Sequence, residues 1–99
     1  MNSNIQRIVQ YQFFIVARLQ ELGFAPRAAR ELALHPKLLK LLNVLDQESR
    51  TTTMTDTLGR VCDLCLSTRE EMRPFINPDD DWRLMVDNTA EIVFMFFEI

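Results

Sequence analysis

Apolar residues recur along most of this chain with a helical rather than an alternating period. Ser3 with Gln6 three positions later is a capping-box pattern and predicts a first helix that Gly23 stops. At about 100° per residue, Ile5, Ile8, Val9, Val16 and Leu19 share one face, flanked by Phe13 and Ile15. Arg7, Gln10, Arg18 and Glu21 fall opposite, and Phe14 falls with them, where a monomer would leave it wet.

Ala25-Pro26 opens a short second helix, because proline suits a first turn whose N–H groups have no helical partner. His35-Pro36 ends it, since the residue before a proline avoids the helical region. Pro36 begins a third helix, Lys37 to about Gln47, with a broad leucine stripe at Leu38, Leu39, Leu41, Leu42 and Leu45. The stretch Ser49-Arg50-Thr51-Thr52-Thr53 reads as a loop, because threonine and short polar side chains disfavour helix. Thr53 with Asp56 caps a fourth helix that runs to about Arg73, with Leu58, Val61, Cys62, Cys65 and Met72 inward.

Asn77, Pro78 and Asp79 to Asp81 combine an N-cap, a first-turn proline and acids at the positive end of a helix dipole. They predict a fifth helix from about residue 78. Its inner face holds Trp82, Met85, Val86, Thr89, Val93, Phe96 and Phe97. Arg83, Asp87, Glu91 and Glu98 form the opposite arc, with Leu84, Met95 and Ile99 on a flank and Phe94 beside the acids. A terminal strand competes over 90–97, because Ile, Val and Phe are strand formers. Residues 92–97 are apolar at both parities, however, which gives the strand no alternation. The expected fold is all-α: a single domain over 1–99, built as a small bundle of four to five antiparallel helices.

Composition agrees with that expectation. The chain has 99 residues, 47% hydrophobic and 25% charged, with only two glycines to serve the turns of a sandwich or barrel. Net charge is −3 but unevenly spread: residues 1–45 carry +4 and residues 46–99 carry −7. No signal-peptide pattern or apolar run of bilayer length is present, so a cytoplasmic location is expected, without a membrane partner.

Motifs for chemistry are sparse. Cys62 and Cys65 have metal-like spacing, but no second pair and only one histidine accompany them, so they read as buried small hydrophobes. His35 lacks a nucleophile pattern and is expected to cap the carbonyls ending the second helix. The acidic runs suit helix capping or a solvated surface better than acid–base catalysis, and no phosphate-cradling loop is present. No enzyme activity, metal or cofactor is therefore expected. The surplus of apolar surface points instead to protein interaction.

Phe14, Asp80, Asp81, Trp82, Leu84, Phe94, Met95 and Ile99 are the expected partner-binding residues. An apolar helix face with an acidic rim would dock onto a partner protein or a second copy, as an inhibitor, adaptor or assembly factor does. The alternative is a nucleic-acid-binding regulator that uses the basic 27–40 region, although a pI near 5.0 argues against it.

Overall fold

A computed structural model describes residues 3–48 and 54–97. It contains five helices: α1 (Ser3–Glu21), α2 (Pro26–Leu34), α3 (Pro36–Glu48), α4 (Met54–Met72) and α5 (Trp82–Phe96). No strand occurs among the described residues, and the 90–97 segment is helical through Phe96. No helix among them is long and apolar enough to cross a membrane. The expected loop at 49–53, the Thr53 cap and Ile99 lie outside the described residues.

The five helices build four rods. Gln12 of α1 donates to the Ala33 carbonyl near the end of α2, at 3.2 Å. Asn4, Arg7 and Tyr11 at the start of α1 all reach Asp46 near the end of α3. Thus α2 and α3 run in the same sense, antiparallel to α1, as one rod broken at His35-Pro36. α4 runs parallel to α1: Met54 and Leu58 lie beside Phe14, and Arg69 reaches Gly23. α5 returns alongside the broken rod, with Trp82 under Arg27, Asp87 at His35 and Phe94 under Lys37 and Lys40.

α1 and α5 each pack against α2, α3 and α4. They therefore stand at diagonal corners of the bundle, with the broken rod and α4 at the other two. Consecutive rods alternate in direction, which is the expected antiparallel bundle. The core they share is formed by Ile15 and Leu19 of α1, Leu32, Leu38, Leu41 and Leu42 of the broken rod, Val61, Cys62 and Cys65 of α4, and Met85, Ala90 and Val93 of α5. Each is essentially inaccessible to solvent.

Local signals place these rods. Gly23 adopts φ 98°, a left-handed conformation that side-chain-bearing residues rarely take, and it ends α1. The Phe24 N–H bonds the Leu19 carbonyl at 2.9 Å and the Gly23 N–H bonds Gln20 at 3.0 Å, a Schellman stop. Arg69 completes it. Its guanidinium donates to the Gly23 carbonyl at 3.2 Å and lies 4.2 Å from the centre of the Phe24 ring.

Asp46 is the polar anchor at the other end of α1. Its side chain is only 5% exposed, and it accepts from Asn4, Arg7 and Tyr11 at 2.6 to 3.0 Å. The Arg7 hydrogen bonds above all hold its carboxyl down to about 2, with those from Tyr11 and Asn4 adding to the effect against desolvation.

The fifth helix starts later than expected. Asn77 does act as a cap: its side chain accepts from the Asp79 N–H at 2.9 Å, and its carbonyl accepts from Asp81 at 2.8 Å. That single turn then breaks at Asp81, where φ is −103° and ψ is 43°. Residues 78–81 are therefore a turn, and α5 begins at Trp82.

Candidate protein-docking surfaces

The break at His35-Pro36 organises the surface on one side of the bundle. Up to Leu34, α2 lies against the Gln12 and Val16 side of α1. Beyond the break, α3 crosses to the Asn4, Arg7 and Tyr11 side. The first half of α1 is left with no helix over Ile5, Val9 and Phe13. All three are exposed, Phe13 by 71%, and Leu34 at the end of α2 is exposed beside them. A groove of about 180 Å³ runs along this edge, lined by Val9, Gln12, Phe13, Val16, Arg30, Ala33 and Leu34. Ile5 and Val9 were expected in the core. The helical period identifies the apolar arc correctly, but the turn of the rod decides which part of the arc is covered.

His35 sits at that break. Its Nδ1 accepts the Lys37 N–H at 3.1 Å, and its Nε2 lies 3.1 Å from Asp87 Oδ1. With Nδ1 accepting, Nε2 carries the proton and donates to Asp87. His35 therefore caps the end of α2 as the sequence suggested, through its backbone N–H on the Leu32 carbonyl at 3.2 Å, while its side chain caps the start of α3 and ties it to α5. Both ring nitrogens are engaged, so neither is left to take a proton from a nucleophile.

α5 carries the second exposed apolar surface. Leu84, Ile92 and Phe96 lie on one row of its outer side, with the exposed Asn88 between the first two and Met95 alongside, and all four apolar side chains are exposed. Asp87 and Glu91 border this ridge and are also exposed. Asp80 and Asp81 lie exposed just before the helix. The opposite side of α5, from Met85 and Val86 through Thr89, Ala90 and Val93 to Phe94, is buried.

Three of the expected partner-binding residues thus change place, and one cannot be placed. Phe14 is half-buried against the core near Met54 and Leu58, so a monomer does not leave it wet. Phe94 stands beside the acids on its helix but is only 8% exposed, because the Lys37 and Lys40 ammonium groups lie 4.9 and 5.6 Å from its ring centre. The two cations lie against the face of the ring, a cation–π arrangement that covers it. Trp82 is half-buried between Arg27 at 4.4 Å and Arg83 at 5.2 Å from its ring centre, and so faces cations rather than the aspartates. Ile99 lies outside the described residues. Leu84, Met95, Asp80 and Asp81 are exposed as expected. Phe96, expected in the core, is on the outer ridge instead. Phe75, in the turn after α4, is also exposed, on the same side of Asn77 and Asp79.

Cys62 and Cys65 are fully buried, as expected for small hydrophobes. Burial pushes the Cys62 thiol up to about 12 and raises Cys65 as well, so both stay protonated and unreactive. Among the described residues, no three His, Cys, Asp or Glu side chains converge as a metal site would require. No protein-family model, curated protein or solved structure matches this chain.

Proposed function

We propose that this chain is a protein-interaction module that docks the outer ridge of α5 onto a partner protein bearing a basic surface. The observation that carries the reading is the ridge itself: Leu84, Ile92, Met95 and Phe96 exposed on one helix, with Asp87 and Glu91 along its border. Large apolar side chains gathered on one exposed helix face are a feature of interfaces. Acids at the rim favour a cationic partner through the rate of encounter and through rejection of acidic competitors. An inhibitor, an adaptor and an assembly factor all work by such occlusion, and the chemistry of the surface is common to the three. A cytoplasmic setting fits two buried, unpaired thiols.

The test is differential capture from the native host, using the full chain and a Leu84→Glu, Met95→Glu variant. A protein retained by the first and lost by the second, with retention falling as salt rises, supports the reading. Identical retention by both would sink it.

A nucleic-acid reading draws on one observation. Arg27, Arg30, Lys37, Lys40 and Arg83 have no acidic partner among the described residues. All but Arg30 are however stacked on Trp82 or Phe94, which gives them a role within the bundle. Retention of DNA or RNA at low salt that is lost with Arg27→Ala and Arg30→Ala would favour this reading.

A further inference from the structure

We propose that two copies of this chain pair through the uncovered first half of α1, each presenting Ile5, Val9 and Phe13 to the other. Four-residue spacing places these side chains on one i±4 ridge. Two such ridges interdigitate at a crossing angle near −50°, the commonest way helices pack. A twofold axis near Val9 would set each Phe13 toward the groove that the other copy forms with Val16, Arg30 and Leu34.

Self-complementarity argues for a second copy: the groove carries one ionisable side chain, Arg30 of α2, and it lies where the other copy's Phe13 enters, so the cation meets a ring rather than its own counterpart. From Gln12 round through Val9 and Phe13 to Gln10, roughly 160° of the α1 circumference carries no ionisable side chain. The charges of α1 lie on its other side and are already engaged, Arg7 with Asp46 and Arg18 with Glu21. An identical face can therefore approach without like-charge repulsion, and the exposed glutamines at positions 6, 10 and 20 can bond one another across the rim. The α5 ridge, bordered by Asp87 and Glu91, would repel its own copy. Docking α5 of one copy onto α1 of the next would be a head-to-tail contact, which never closes as a pair, whereas α1 on α1 closes after two.

Light scattering on the full chain tests the pairing. The expected mass is twice the 11.6 kDa of one copy, and Val9→Glu with Phe13→Glu should halve it while circular dichroism keeps its helical signal. A monomeric wild-type protein, or a dimer that survives both substitutions, would overturn the proposal. A second arm avoids the fold altogether. Val9→Cys under mild oxidation should give a disulfide-linked dimer, and Leu84→Cys should not. Cys62 and Cys65 are buried and stay silent. Cross-linking at Leu84→Cys but not at Val9→Cys would place the seam on α5 and reject the one proposed here.

Discussion

The outer sides of α1 and α5 both present an apolar ridge to solvent, continuous at every fourth position on α1 and interrupted by Asn88 on α5, yet they arise differently and suit different neighbours. On α1 the ridge is bare because the neighbouring rod breaks at Pro36 and crosses away, so Ile5 and Val9 are core-type residues left without a cover. On α5 the ridge is additional to a complete inner face, since Met85, Val86, Ala90 and Val93 already fill the core. The first ridge has a single cation, Arg30 of α2, at its border and the second has Asp87 and Glu91 beside it. Apolar area alone would rank the two ridges alike. The ionisable side chains at their borders separate a surface that tolerates its own copy from one that asks for an opposite charge.

The sharpest way to test that the α5 ridge is separate from the core is to compare adjacent residues. Phe94→Ala should cost about 3–5 kcal/mol in urea denaturation, the usual range for truncating a buried phenylalanine. Met95→Ala, at 68% exposure, should stay within about 0.5 kcal/mol. Equal losses would mean that the outer ridge belongs to the core after all.

The α1 ridge depends on how firmly the first half of the helix is held, and Asp46 holds it. Asp46→Ala should destabilise the fold by about 2 kcal/mol, as expected for removing hydrogen bonds to a charged, nearly buried carboxylate. The same group sets an acid limit. Its folded-state pKa of about 2 lies below the ordinary 3.8, so its contribution is complete above pH 4 and is lost as pH falls from about 4 through 2. In Asp46→Asn that part of the acid-unfolding profile should flatten, and an unchanged profile would remove Asp46 from this role.

Charge substitutions on the ridges should leave folding nearly untouched and separate the two associations. Leu84→Glu with Ile92→Glu should weaken partner capture at least about tenfold, which is about 1.4 kcal/mol, and leave self-association intact. The smallest effect, and the most discriminating, is the response to salt. Sodium chloride should weaken capture by α5 through screening of Asp87 and Glu91, while pairing through α1 should hold, and sulfate should strengthen it. Parallel responses of the two associations would erase the distinction between the ridges.

Much of the fold was legible because it rests on local chemistry. Gly23 stopping α1, Pro26 opening α2 and His35-Pro36 dividing two helices are each decided within a few residues. The alternation test that favoured helix over strand at 90–97 is local as well. Errors occur where a distant partner decides. Phe94 stands beside acids on its own helix, but lysines more than fifty positions earlier cover it. Ile5 and Val9 look like core residues because nothing within α1 reveals that α3 leaves them. Asp46 carried no signal as a lone acid at the end of a leucine-rich helix. The Arg7 and Tyr11 pair that needs it lies one helical turn apart in α1, and only the antiparallel return of the chain brings them together. The fifth-helix start was misplaced by one turn because Asn77 caps a turn that Asp81 then interrupts.

The diagonal placement of α1 and α5 has a further consequence for avidity. A pair joined through α1 would hold its two α5 ridges on outward-facing sides, so one assembly could grip two basic sites at once. The second contact would then form at an effective concentration set by the rigid span of the pair rather than by the protein in solution. Such a pair would favour targets that are themselves repeated or dimeric. A weak single-ridge contact would be enough for tight retention of such targets, and a monomeric target with the same basic surface would be released quickly.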